Sequence, residues 1–190
     1  SFLAAAIQLA AGSDRAANLD TASALVRTAA ARGAELIVLP EMFIWRGTPD
    51  GEAAAAEPIP GPTTERLALL ARQLGVILVG GSLLEQVPGE RKAYNTCTVY
   101  GRDGALLARY RKVHLFDVDI AGHVTHRESD TRLRGGTTVT VPTDLGVLGL
   151  SVCYDLRFPE LYRRLATAGA EIVCVPSAFT FPTGAHHWEI

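Results

Sequence analysis

Three times in this chain a segment with helical periodicity stops at a glycine and gives way to a short apolar run. Residues 14–32 put Leu19, Ala22, Val26 and Ala29 on one helical face; Gly33 ends the segment, and Glu35 to Leu39 reads as a buried strand. Residues 62–74 repeat the pattern with Leu67, Leu70 and Leu74, then Gly75 and the strand Val76 to Gly80. The third copy carries Leu161, Leu165 and Ala168, then Gly169 and the strand Glu171 to Val175. Glycine suits the left-handed turn that closes a helix, and Pro62 and Pro159 suit the first helical position. With Phe2 to Leu9 as a first strand, the repetition predicts α/β layering.

The middle of the chain breaks this rhythm. Tyr94 to Tyr100, the turn Arg102-Asp103-Gly104, and Ala105 to Val113 read as an antiparallel hairpin, and Val139–Val141 with Val147–Val152 as a second. A mixed sheet, or two sheets packed together, is therefore expected rather than one parallel sheet. Residues 117–136 are rich in charge, histidine and glycine without periodicity, which predicts an active-site loop. The run Ala53 to Ala56 reads as loop or a helical turn. Length and a hydrophobic content of 48 % point to one domain over residues 1–190.

A net charge of −2 and an isoelectric point near 6.2 give no footprint for nucleic acid. No apolar run reaches the roughly 20 residues that span a bilayer, so no membrane partner is expected. The first residues lack the basic start of a secretion signal. Cys97, Cys153 and Cys174 are few and odd in number, which suits reduced thiols in a cytoplasmic protein. The chain starts without Met and stops inside the word His187-Trp188-Glu189-Ile190, so a missing C-terminal part is expected.

Cys153 ends the apolar stretch Val147 to Val152, and Pro159 opens a helix six residues later. A thiol at a strand-to-helix turn is lifted clear of the sheet, where it can act as an acyl-transfer nucleophile. The plainer reading is a small core residue. Ligands in α/β folds bind beyond the carboxyl ends of strands. Glu41, after Leu36 to Pro40, and Lys112, near the end of Leu106 to Val113, fall at such positions. A carboxylate to move protons, an ammonium to hold an oxyanion and a thiol to attack would suffice for acyl transfer. Taken singly, Glu41 reads equally as a surface acid and Lys112 as one charge of several.

Other residues have alternative readings. His114, two residues after Lys112, would point to the same side of a strand and leaves a Cys–His dyad open. Asp155 reads as an ion pair with Arg157 or a nearby backbone contact. His123 and His126 lack partners at zinc-site spacing and read as loop histidines. His186 and His187 beside Trp188 could line a pocket mouth or simply pack. Cys97 and Cys174 lie inside strand runs and read as core, and Gly80-Gly81 and Gly135-Gly136 lack phosphate-loop spacing.

Three words in order, Leu39 to Phe43, Tyr110 to Asp117 and Cys153 to Leu161, resemble signatures of the nitrilase (carbon–nitrogen hydrolase) superfamily. Pro176 to Phe179 and Thr183 to Glu189 are similar to segments of its Nit-type amidase branch. The resemblance implies Cys153 as nucleophile, Glu41 as general base and then acid, and Lys112 as oxyanion stabiliser. It also implies a second glutamate orienting the lysine and substrate, best matched by Glu128. Tyr154 would contribute its backbone N–H to the oxyanion site, and His187 is the candidate on the substrate side.

The fold it implies is an α-β-β-α sandwich, two mixed β-sheets between helical layers. A homodimer or higher homo-oligomer is expected, with the helix 159–168 near the interface and Tyr162, Arg163 and Arg164 on its outer side. No metal or organic cofactor is implied. The implied activity is hydrolysis of a small linear amide, of deaminated-glutathione or omega-amide type, through a cysteine thioester that releases ammonia and an acid. Nitrile hydrolysis and N-carbamoyl amide hydrolysis use the same cysteine chemistry. A truncated, non-catalytic chain acting only by association is the alternative of a different class.

Overall fold

The computed structural model describes residues 1–120, 124–180 and 184, so His123, His186, His187 and Trp188 lie outside the described residues. Five strands lie side by side in chain order: β1 (Leu3–Ala6), β2 (Ala34–Val38), β3 (Ile77–Glu85), β4 (Ala93–Tyr100) and β5 (Leu106–Arg111). The first three are parallel, and β3, β4 and β5 are antiparallel. The parallel links run through α1 (Arg15–Ala31) and then through the single turn α2 (Pro49–Glu52) and α3 (Pro62–Leu74). A second sheet joins the hairpin of β9 (Thr140–Thr143) and β10 (Gly146–Leu150) to β11 (Ile172–Cys174), which α4 (Pro159–Thr167) makes parallel to β10.

Burial shows why the sequence layers this way. Within β2, Leu36 packs into one core and the next residue, Ile37, into another. Within β3, Ile77 and Val79 face one side and Leu78 the other. Strands covered on both faces need continuous apolar runs, which is what the sequence carries there. On one face Ala22, Val26, Leu67 and Leu70 of α1 and α3 cover the large sheet. On the other, Val99 and Tyr110 meet Leu148, Leu150 and Cys174 of the second sheet. Leu161 and Leu165 of α4 are buried behind that sheet. The layers are therefore helix, sheet, sheet, helix, the expected α-β-β-α sandwich. Each fully buried Leu or Ile contributes roughly 1.5–3 kcal/mol.

The helix stops behave as read, with Gly33, Gly75 and Gly169 at φ of +89°, +65° and +87°. Other boundaries move. The first strand ends at Ala6, although Ile7 N–H still donates to Val38 O at 2.9 Å. β3 continues five residues past Gly80, because Gly80-Gly81 forms an irregularity in its pairing with β4 rather than an end. Ala53–Ala55 is a 3₁₀ turn.

Residues 117–136 are not a plain loop. They contain a two-stranded ribbon, β6 (Asp117–Ile120) and β7 (Val124–Arg127), a 3₁₀ turn at Glu128–Asp130, and β8 (Arg132–Leu133) paired to β4. Four-residue strands in a charged segment are too short for periodicity to show. Tyr162 also departs from its expected outward position: its hydroxyl donates to Ser151 Oγ at 3.1 Å, while Arg163 and Arg164 are exposed.

Candidate active site

Three chain turns bring the charged residues together. β2 runs into Leu39-Pro40, whose carbonyl at Pro40 accepts Ser82 N–H at 3.2 Å. This approach requires Gly81: its φ is +57°, and a Cβ there would lie 2.1 Å from Pro40 O. Met42 then sits at φ +52°, with its N–H donating to Ser82 Oγ at 3.1 Å, and Glu41 is turned inward between these anchors. Lys112 follows β5 and is fixed through both backbone groups, donating to Asn95 O and accepting from Gly135 N–H, each at 2.9 Å.

The third turn holds Cys153. β10 ends at Leu150, and Cys153 opens a 3₁₀ turn to Arg157 before α4. Its φ is +51°, and its N–H donates to Pro176 O at 3.0 Å. The left-handed region costs a residue with a Cβ roughly 1–2 kcal/mol, and among the described residues only Met42 and Cys153 adopt it without being glycine. Both adjoin or carry the chemistry. Fully buried Asp155 clamps the turn: it accepts Val152 N–H at 2.8 Å, Tyr110 O–H at 2.7 Å and His114 N–H at 2.9 Å. That clamp ties the cysteine turn to the segment that presents Lys112.

Inside, Lys112 Nζ lies 2.8 Å from Glu128 Oε2 and 3.2 Å from Glu41 Oε1. Asn95 Nδ2 donates to Glu41 Oε1 at 2.9 Å and reaches Glu128 Oε1 at 3.4 Å. The backbone adds Ala178 N–H to Glu41 Oε2 at 3.0 Å and Phe116 N–H to Glu128 Oε2 at 2.7 Å. Burial drives the Glu41 carboxyl up, yet Lys112, the Cys153 thiol and Arg46 outweigh it and hold the group below the usual carboxylate range. Burial would neutralise Lys112, but Glu41 and Glu128 hold its charge and raise its pKa. Burial and the Glu41 charge push the Cys153 thiol well above the ordinary range, against the pull of Lys112. The resting arrangement is thus a protonated thiol beside an ionised carboxylate and an ammonium.

A cavity of about 800 Å³ opens on this cluster, lined among others by Pro40, Glu41, Phe43, Arg46, Ala178 and Thr180. The Arg46 guanidinium makes no ion pair or hydrogen bond among the described residues, and its charge is felt at Glu41. Of the cluster Glu41 lines this cavity, and the Cys153 thiol and the Lys112 ammonium lie directly behind it against its carboxylate, so the nucleophile, proton acceptor and cation that acyl transfer needs are grouped at the cavity wall.

Glu41, Lys112, Glu128 and Cys153, singled out in the sequence, converge. The Tyr154 ring packs edge-on against Phe116 and Phe158, at centroid distances of 4.9 and 5.5 Å. His114 does not flank Lys112 as strand alternation predicts, because β5 ends at Arg111. Its ring stacks on Phe158 at 3.7 Å, and its Nδ1 lies 2.7 Å from Asp155 Oδ1. Of the two readings for Asp155, the nearby backbone contact is the one seen, through Val152 N–H, with His114 and Tyr110 as further partners. Asn95 and Ala178 were missed: an Asn inside a strand and a backbone N–H carry no sequence signal of a site.

A buried thiol, carboxylate and ammonium on an α-β-β-α sandwich define a class of cysteine-containing hydrolase architecture. The carbon–nitrogen hydrolase family profile matches residues 3–190, and the chain belongs to that family. It is 42 % identical over 193 residues to omega-amidase NIT2 of Homo sapiens, spanning 100 % of this chain and 68 % of that protein. The structure of Saccharomyces cerevisiae Nit3, a member of branch 10 of the nitrilase superfamily, superposes with a TM-score of 0.84. The match is 35 % identical and covers 97 % of this chain and 67 % of Nit3. An amidase variant from Nesterenkonia sp. AN1, whose active-site cysteine carries a Michael adduct of acrylamide, superposes at 0.79. It is 28 % identical and covers 95 % of this chain and 68 % of the other.

Proposed function

We propose that residues 1–190 form a carbon–nitrogen hydrolase domain that cleaves a small linear amide, of omega-amide or deaminated-glutathione type, through a thioester on Cys153. The observation that carries this reading is the placement of the Cys153 thiol against ionised Glu41 and charged Lys112 in one buried cluster. Glu41 takes the thiol proton as sulfur attacks the amide carbon. Lys112 Nζ and the Tyr154 N–H receive the oxyanion, while Glu128 holds Lys112 in place. Glu41 then returns the proton to nitrogen, the C–N bond breaks, and ammonia leaves a thioester. Water, deprotonated by Glu41, attacks that thioester; the acid departs and sulfur regains its proton.

Two findings support the substrate class. The similar human and plant proteins are omega-amidases. The guanidinium of Arg46 in the cavity also suits an amide whose far end is a carboxylate. His187, in the similar His-Trp-Glu word, is assigned to the substrate side. The three cysteines are free and buried, which suits a reducing cytosol, and α4 with exposed Arg163 and Arg164 is the surface assigned to a homodimer. No described helix is long and apolar enough to cross a membrane. The test is ammonia release from omega-amides, with nitriles and N-carbamoyl amino acids run alongside. Wild type is expected to release ammonia from the amides; equal release by Cys153→Ala would overturn the assignment.

A further inference from the structure

Asn95 is 1 % exposed and sits on β4 opposite Leu84 of β3. One residue there bonds both carboxylates of the site and the backbone of the lysine between them. Its carbonyl accepts the Lys112 N–H, and its side-chain NH₂ spans Glu41 and Glu128. For Glu41 Oε1, Asn95 at 2.9 Å is a closer donor than Lys112 at 3.2 Å, because the ammonium leans toward Glu128. The opposite end of the amide, Oδ1, is buried without a partner among the described residues. Flipping the amide would aim that oxygen at two carboxylates, so the orientation is dictated by charge.

An apolar side chain would fill this position without an orphaned acceptor, so packing alone does not account for an asparagine. A second cation would compete with Lys112 for Glu41 and draw off the negative charge that receives the thiol proton. An aspartate would add a third negative charge around one ammonium. A neutral double donor anchors both carboxylates and does neither.

We propose that Asn95 is a positioning residue, whose NH₂ group fixes Glu41 and Glu128 on either side of Lys112 and keeps Glu41 ionised and aimed at Cys153. This rests on Glu41 acting as the base in the reading above. Asn95→Leu removes the donors at similar volume. Its kcat for an omega-amide is expected to fall about 10- to 100-fold, the worth of a hydrogen bond to a charged group, with KM changed much less. The acid limb of kcat/KM moves to higher pH, because Glu41 loses a bond that favours its charged form.

Alkylation of Cys153 by iodoacetamide, followed by mass spectrometry across pH, reads the same base without an amide substrate. Its acid limb is expected to shift in the same direction. If wild type hydrolyses no amide, the substrate reading fails while the alkylation profile still decides the role of Asn95. Should Asn95→Leu not fold, Asn95→Ala serves, since it removes the same NH₂ donors without adding a charge. A folded variant lacking the NH₂ donors, with the wild-type pH profile in alkylation, overturns the proposal.

Discussion

Glu41, in the turn beyond β2, and Glu85, at the end of β3, are both buried acids, and each faces one member of the adjacent pair Arg111-Lys112. Glu85 receives Arg111 Nε and Nη2 at 2.8 and 2.7 Å and Thr96 Oγ1 at 2.7 Å, and Arg111 itself lies over the Tyr94 ring. Both oxygens there are met by these donors, Arg109 adds a longer ion pair at 3.6 Å, and no thiol is among the groups that shift Glu85. Glu41 shares one ammonium with a second carboxylate and borders a thiol. Both carboxyls are held below the usual range against the push of burial, Glu85 by Arg111 and Thr96. A lowered pKa therefore does not separate a functional carboxylate from a structural one; a proton donor beside it does.

Breaking the two clusters should give opposite signatures. Cys153→Ala is expected to remove ammonia release to background in a steady-state assay with the fold intact by circular dichroism. Lys112→Ala should cost on the order of 10²–10³ in kcat, the scale of losing an oxyanion-site group. Near-normal turnover there would return the weight to a Cys–His pairing with His114. Glu85→Ala should leave kcat within a few-fold and lower stability by about 1–3 kcal/mol in denaturant melts, since Thr96 and the Arg111 fork lose their acceptor.

The smallest effect is in pH. A carboxyl with a folded pKa below its unfolded value adds stability that is present above the unfolded value, near 4.5, and lost as pH falls through the folded value. The melting difference between wild type and Glu85→Gln should accordingly be constant above pH 4.5 and shrink below it. A difference that grows on acidification would contradict the assignment of Glu85 as an ionised anchor.

Most layers were legible because strands covered on both sides must be continuously apolar and helices must stop: Leu36 to Leu39 and Gly33 say both. The hairpin through Asp103-Gly104 was legible from its turn. The ribbon of residues 117–127 was not, since its strands are short and polar. Glu41, Lys112 and Cys153 stood out by falling at strand ends, and Glu128 only through family wording. Asn95, the Ala178 N–H and the left-handed Met42 depend on long-range packing and left no local mark. Gly81 and Gly135 stood out as glycines, but their use was visible only where Pro40 O and Arg111 O approach.

Glu41 activates the buried Cys153 for covalent catalysis in this reading; Cys97 and Cys174 are raised by burial as Cys153 is, but have no carboxylate among the groups that shift them. The most direct measurement is acid-quenched intact and peptide mass spectrometry of the protein mixed with a slowly turned-over omega-amide. A mass gain equal to the acyl group, amide minus ammonia, is expected on the peptide containing Cys153, and its absence in Glu41→Gln. Turnover with no adduct on Cys153, or an adduct that forms as fast without the Glu41 carboxylate, would contradict this activation.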